Sequence, residues 1–236
     1  MRKIFTLLLL VTCTLQTFAG NALSKEEKLY TTAKLWGFLK YYHPEVAKGK
    51  LDWDKELFKI IDRTKSAKDK EALSKVYSDW IDGLGTVKTC SKCAIPSKAA
   101  IFDKNFDLSW TQNLFTPTLA AKLKFIEANR YQGKSHYVTT NSGTNNVKIL
   151  NESADKNSDW NSENVRLLSL FRYWNQIEYF FPYKYMTDQK WDDVLAEMVP
   201  KFIKCETEEQ FHLAMLELVV KVDDSHANLI TPITNQ

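Results

Sequence analysis

The chain repeats its own pattern at a fixed offset of 138 residues. The series Trp36-x7-Pro44-x8-Trp53-Asp54 reappears as Trp174-x7-Pro182-x8-Trp191-Asp192. The register holds without a gap between residues 36–86 and 174–224, with seven identities in 51 positions, and these include two Trp and one Pro. Internal repetition sets the architecture of a chain, so we expect two copies of one supersecondary unit.

Capping residues and apolar periodicity predict three helices in each copy. In the first copy Ser24 and Glu27 form a capping box, Asp52 is a candidate N-cap, and a third helix spans about 69–82 before Gly83 and Gly85. In the second copy Thr207 and Gln210 form another capping box, for a helix through residue 222. Pro44 and Pro182 each end the first helix of a copy.

Residues 88–164 lack this pattern and predict a small insert. Short strands are expected at 99–102, 106–110, 136–140 and 146–150, the last two as a hairpin around Asn141-Ser142-Gly143. A helix is expected from Pro117 to Ala128, and 151–164 is a polar connector. The predicted fold is mostly α (α+β), with two duplicated three-helix units flanking a β-containing insert. Its segments are helical repeat 1 at 24–87, the insert and connector at 88–164, helical repeat 2 at 165–227, and the start of a following domain at 228–236.

The first twenty residues have the composition of a secretory signal peptide. Arg2 and Lys3 precede a short apolar run, and Thr17-Phe18-Ala19-Gly20 supplies small residues for cleavage. An uncleaved N-terminal anchor is the alternative interpretation. We expect an exported protein, periplasmic or extracellular, with no stable membrane span after cleavage. Removing Arg2 and Lys3 lowers the net charge from +3 to +1, which disfavours a nucleic-acid partner.

Cleavage would leave three cysteines, of which Cys90 and Cys93 form a CxxC motif. One such pair supplies only half of the ligands of a zinc site. A thioredoxin-type motif opens a helix after a strand, whereas this one follows Gly83-x-Gly85. A local disulfide in an oxidising compartment is the favoured interpretation, and Cys205 is expected to be a buried thiol.

The candidate chemistry lies where the second copy departs from the first. Gly85-Thr86-Val87-Lys88 of the first copy corresponds to Asp223-Asp224-Ser225-His226 of the second. Adjacent Ser and His side chains do not easily serve each other, because a triad is assembled from distant segments. His226 is therefore a candidate base toward a distant serine. The alternative is a polar helix C-terminus, where His is favoured by the helix dipole.

Aromatic clusters follow the first helix of both copies, around Tyr41-Tyr42-His43 and Tyr179-Phe180-Phe181. Because both copies carry them at the same place, packing between the repeats is favoured over a surface that binds peptide or glycan. No HExxH, GxSxG or glycine-rich phosphate motif occurs in the sequence.

The run from Leu35 to Pro44, the following Asp52-Trp53-Asp54, and the segment from Tyr173 to Pro182 resemble the N-terminal region of exported serine peptidases. The family is that of the tail-specific, or C-terminal-processing, peptidases together with the tricorn core. The resemblance covers about residues 29–229. It implies hydrolysis of peptides through an acyl-enzyme, with no metal and no other cofactor.

In that family a helical region leads to a short Asp-Ser-His-like motif, a PDZ-like domain and an α/β core with the catalytic serine. The resemblance implies that His226 is the general base and that Ser225 is an auxiliary member of the catalytic set. No PDZ-like or nucleophile segment is present in these 236 residues. We expect the chain alone to be inactive, with a peptide or protein substrate and the protease core as partners. The alternatives are a periplasmic peptide- or glycan-binding module and a thiol-disulfide protein.

Overall fold

The computed structural model of the protein describes residues 22–91, 93, 108–144, 146–152 and 159–227. Within these ranges the fold is mostly helical with one small antiparallel sheet, as the sequence predicts. The elements, in chain order, are α1 (Lys25–Tyr42), α2 (Pro44–Ala47), α3 (Trp53–Thr64), α4 (Lys70–Gly83), α5 (Trp110–Leu114), α6 (Pro117–Ala128), β1 (Val138–Thr140), β2 (Val147–Ile149), α7 (Glu163–Phe180), α8 (Trp191–Ile203) and α9 (Glu208–Val220), with a 3-10 turn at Lys184–Met186.

The three predicted helices of the first copy are α1, α3 and α4. They begin at positions equivalent to the starts of α7, α8 and α9 in the second copy. Helix α7 begins and ends 138 residues after α1, and α8 and α9 begin 138 residues after α3 and α4. Side-chain caps are present at the starts of α1, α3, α4 and α9, whereas α7 and α8 begin without one. The Ser24 side chain caps α1 together with Glu27, and Asp69 and Thr207 each accept the backbone N–H of the third residue beyond. The second predicted capping box is only half formed, because the Gln210 side chain accepts the backbone N–H of Glu206, one residue before the N-cap, and not that of Thr207.

Two pairs of tryptophans connect α3 to α1 in the first copy and α8 to α7 in the second. The Trp36 indole Nε1 donates to the carbonyl of Trp53 at 2.9 Å, and the Trp53 indole donates back to the carbonyl of Trp36 at 3.2 Å. Trp174 and Trp191 repeat this exchange at 2.8 and 3.0 Å. All four side chains are buried, so each large apolar ring is removed from water with its one polar group bonded.

Helices α1 and α7 lie side by side, parallel and in register. Equivalent residues meet along the pair: Lys25 Nζ lies 2.7 Å from Glu163 Oε2, and the rings of Tyr41 and Tyr179 are 5.0 Å apart. Between them Gly37 faces Asn175, its own equivalent, so closely that a Cβ on Gly37 would lie 1.7 Å from Asn175 Oδ1. The two copies are therefore related by a local two-fold axis running along this helix pair.

Two further ion pairs cross from one copy to the other. Lys34 of α1 pairs with Asp192 of α8, and Arg172 of α7 pairs with Asp54 of α3. Lys34 and Arg172 are equivalent, as are the two aspartates, so the pairs obey the same two-fold relation. The Lys34 ammonium also lies 4.9 Å from the centre of the Trp110 ring, within cation–π range.

The described part of the insert packs on the first copy and, through Glu152, also contacts the second. Helix α6 lies against α4, and the backbone N–H of His136 donates to the carbonyl of Ala47 at 2.8 Å. Strands β1 and β2 pair Val138 with Ile149 in the predicted hairpin. The Glu152 carboxylate beyond β2 is buried, pairs with Lys40 and accepts a bond from Gln176 at 2.7 Å. Burial lowers the pKa of Lys40, against the opposing effect of Glu152.

Some predicted elements differ or lie outside the described residues. The signal peptide at 1–20, the strand at 99–102 and the segment 228–236 lie outside them. The strand predicted at 106–110 is wrong where it can be seen, because Trp110 begins α5 and the backbone N–H of Thr111 bonds the carbonyl of Leu108. Within the predicted polar connector, the side chain of Glu152 is buried. Helix α9 ends at Val220 rather than at residue 222. No helix in the described ranges has the length and hydropathy to cross a membrane.

The contact between Gly37 and Asn175 generates a prediction. We expect Gly37→Ala to lower the free energy of unfolding by about 1–3 kcal/mol, because the new methyl group overlaps the buried Asn175 side chain. Gly83→Ala is the matched control. Its Cβ meets nothing within 4 Å, so we expect a gain of roughly 0.5–1 kcal/mol from helix propensity.

Urea unfolding of the purified chain measures both variants. Because the two positions are equivalent, we expect the exchanged variant Gly37→Asn/Asn175→Gly to recover most of the stability that Gly37→Asn loses. Equal effects of Gly37→Ala and Gly83→Ala would contradict the close approach of α1 and α7.

The buried pair of Lys40 and Glu152 generates a second prediction. We expect Glu152→Leu to lower the free energy of unfolding by about 3–5 kcal/mol, because an uncompensated ammonium group stays buried. The double variant Lys40→Met/Glu152→Leu removes both charges, so we expect it to be more stable than Glu152→Leu. Urea unfolding of the single and double variants measures the coupling. Purely additive losses would show that the pair does not interact.

Candidate functional site

The turn after α9 takes its backbone conformation from the repeat. Asp223 has a φ of 54°, and its equivalent in the first copy, Gly85, has a φ of 110°. Glycine adopts this left-handed region without steric cost, and aspartate is among the side chains that tolerate it best. The same bend therefore follows the third helix in both copies, but only the second copy places carboxylates there.

Two carboxylates organise the turn. Asp223 Oδ2 accepts the backbone N–H of Asp188 at 2.8 Å, which ties the turn to the loop before α8. Asp224 Oδ1 accepts the backbone N–H of His226 at 2.8 Å and lies 2.9 Å from His226 Nδ1. Two hydrogen bonds lower the pKa of Asp224. The larger effect comes from the backbone N–H of His226 and the smaller from the His226 side chain.

His226 and Ser225, the two site residues predicted from the sequence, lie on the surface. The His226 side chain is 93% exposed, so its Nε2 faces solvent while Nδ1 is held by Asp224. Ser225 is exposed beside it, and its hydroxyl makes no hydrogen bond to His226 within the described part of the chain. The structure thus brings the two residues together in one turn without pairing them.

A shallow groove of about 350 Å³ adjoins this turn. Its wall combines the aspartates of the turn with apolar and aromatic side chains that follow α7, among them Phe181, Tyr183 and Met186. Tyr183 and Met186 are more than half exposed. Tyr173 on α7 lies near the turn. Its burial, and to a smaller extent the charge of Asp224, raises the pKa of Tyr173 to about 12. Tyr173 is therefore a neutral phenol at neutral pH.

Two of the other histidines pack against the backbone or inside the core. His43 is fully buried between α1 and α2, its Nδ1 accepts the backbone N–H of Glu45, and burial lowers its pKa to about 4. The His136 ring packs against Gly49. In the described ranges, no cluster of His, Cys, Asp and Glu side chains has the arrangement of a metal site.

The cysteines behave as the sequence predicts. Cys90 and Cys93 form a disulfide, and Cys205 is a buried free thiol. The backbone N–H of Cys90 donates to Asn129 Oδ1 at 2.7 Å, so the disulfide-bonded loop is held against the end of α6. The disulfide therefore closes a short loop locally, as expected for a CxxC motif that does not begin a helix.

The geometry of Asp224 and His226 suits proton transfer. A carboxylate on Nδ1 fixes the ring and stabilises the imidazolium, and the exposed Nε2 remains free to accept a proton. Sequence reasoning did not predict this contact of Asp224 with His226. The signal was the spacing, because an Asp side chain commonly bonds the backbone two residues further on.

Comparison of the chain with protein-family models, with curated proteins and with solved structures yields no match.

The left-handed turn generates a prediction. We expect Asp223→Gly to change the free energy of unfolding by less than about 1 kcal/mol, because glycine adopts a positive φ freely. Asp223→Val loses the same bond to Asp188 but forces a β-branched residue into this region, so we expect a loss of about 1–3 kcal/mol. Urea unfolding compares the two, and Gly85→Val tests the equivalent position. A Val variant as stable as the Gly variant would contradict the backbone assignment.

Proposed function

We propose that this chain is the N-terminal helical region of an exported serine-type peptidase, in which His226 is the general base. The observation that carries the proposal is the pair of Asp224 and His226, with Nδ1 held at 2.9 Å and Nε2 open to solvent. It is the base and the orienting carboxylate of a Ser-His-Asp arrangement, at the motif where the sequence resembles the tail-specific and tricorn-core peptidases.

In the proposed reaction His226 Nε2 accepts the hydroxyl proton of a serine as that serine attacks the peptide carbonyl. Asp224 stabilises the resulting imidazolium, which then gives its proton to the leaving amine. The acyl-enzyme is hydrolysed by water in a second cycle of the same transfers. The serine comes from a protease core encoded beyond residue 236 or on a separate chain, and this core is the proposed partner.

The groove beside the turn supports a peptide or protein substrate. Its aromatic and apolar wall at Phe181, Tyr183 and Met186 suits an apolar side chain, and the turn carboxylates lie at its edge. Ser225, exposed between the two members of the pair, is the proposed auxiliary group. The predicted signal peptide at 1–20 supports action outside the cytoplasm.

A second candidate is a free-standing periplasmic module that binds peptide or glycan. The exposure of Tyr183 and Tyr185, 56% and 46%, favours it, because such rings stack on sugar or peptide groups. Tyr41 and Tyr179 pack on each other between the copies. The exposed aromatic surface is therefore that of Tyr183 and Tyr185, in the second copy. A rise in the melting temperature of the purified chain with peptide or glycan would favour this candidate.

The test expresses the reading frame from its native locus through to its stop codon, with any neighbouring gene that encodes a serine-bearing core. We expect this protein to hydrolyse casein and to react with a fluorophosphonate probe, whereas residues 21–236 alone do neither. We expect His226→Gln to lower the hydrolysis rate about 10²- to 10⁴-fold, because general-base catalysis is lost.

His212→Gln is the matched control, because His212 lies on α9 outside the turn, and we expect it to keep the wild-type rate. Labelling of the chain alone, full activity of His226→Gln, or a locus without any serine-bearing core would overturn the proposal.

A further inference from the structure

Helix α9 carries apolar side chains on its outward face as well as on its buried face. Ala214 and Leu218 are buried against α7 and α8. On the outward face Leu213, Leu216 and Val220 are exposed by 64%, 47% and 64%. These three residues, here called the α9 stripe, are spaced by three and four positions and so lie along one side of the helix. A helix at a protein surface is ordinarily polar on that side.

In the first copy the equivalent side of α4 is covered by another helix. The equivalents of the α9 stripe on α4 are Lys75, Ser78 and Asp82. Helix α6 packs on α4, and Lys122 of α6 lies 2.7 Å from the hydroxyl of Ser78 and from the carboxylate of Asp82. The same face of the repeated unit therefore receives a helix in the first copy through polar contacts, and in the second copy it is apolar.

Carboxylates lie at both ends of the α9 stripe. Glu206, Glu208 and Glu209 are exposed at the start of α9, where Lys204 is the exposed basic residue. Asp188 and Asp223 are exposed beyond its end, where Lys190, two residues from Asp188, is an exposed basic residue. A second copy of this chain docked on the stripe, in either direction, would place carboxylates against carboxylates, and like charges across an interface are unfavourable. A partner with basic residues at both ends of its apolar stripe matches these charges.

We propose that the α9 stripe binds an amphipathic helix of another protein, whose apolar side is flanked at both ends by Lys or Arg. The apolar residues of that helix cover Leu213, Leu216 and Val220, and its basic ends pair with the glutamates and aspartates. The proposal shares only Asp223 with the turn that holds Asp224 and His226, and the three residues of the α9 stripe lie outside that turn. Either proposal can fail without the other.

The test uses two labelled helical peptides of about 16 residues, long enough to cover α9. Both have leucines along one side; one has lysines at its ends and the other has glutamates. Fluorescence anisotropy measures their binding to the purified chain at low and at physiological salt. We expect the lysine peptide to bind at least about tenfold more tightly than the glutamate peptide, with the difference decreasing as salt screens the charges.

We expect Leu216→Asp to weaken binding of the lysine peptide at least about tenfold, because a carboxylate replaces the centre of the apolar contact. Phe125→Asp is the matched control, since Phe125 is similarly exposed, at 45%, on α6, and we expect it to bind normally. A second variant, Glu208→Lys/Glu209→Lys, leaves the apolar residues intact and is expected to reduce the preference for the lysine peptide.

Equal binding of the two peptides, or binding that Leu216→Asp leaves unchanged, would overturn the proposal. So would a dimer of the wild-type chain in light scattering that Leu216→Asp dissociates, because the occupant would then be a second copy. Circular dichroism of each variant verifies that the fold is retained.

Discussion

The close approach of α1 and α7 is the constraint on which the rest of the structure depends. It is possible because position 37 is a glycine, which leaves room for the Asn175 side chain. Asn175 Nδ2 donates both to the carbonyl of Phe171 in its own helix and to that of Ala33 in the other copy. With the two helices this close, the crossing pairs of Lys34 with Asp192 and of Arg172 with Asp54 come within bonding distance.

The duplicated scaffold leaves its two copies with different surfaces. The described insert packs on the first copy through α6 and the loop at His136, and its buried Glu152 pairs with Lys40. The second copy instead carries the α9 stripe and the turn with Asp224 and His226 on the outside. Because the shared helices already form the core, these surface positions differ between the copies while the core packing of the two copies is the same in kind.

Local signals in the sequence predicted much of the fold. The side chains of Ser24, Asp52, Asp69 and Thr207 bond backbone groups within a few residues, so these caps are independent of the rest of the chain. The strand expected to include Trp110 was wrong, because a short apolar run does not distinguish strand from helix. Glu152 was assigned to a polar connector, and its burial was not predicted because its partner Lys40 lies 112 residues away.

The sequence by itself determined the repeat, the starts of the helices that carry side-chain caps, the disulfide partners and the presence of histidine at the turn after α9. These depend on contacts between residues near in sequence or on a pattern that occurs twice. Only the tertiary structure decided that equivalent residues of α1 and α7 face each other and that Leu213, Leu216 and Val220 are exposed. Which side of a helix is covered depends on what packs against it, and the spacing of apolar residues along α9 is the same whether a neighbour is present or not.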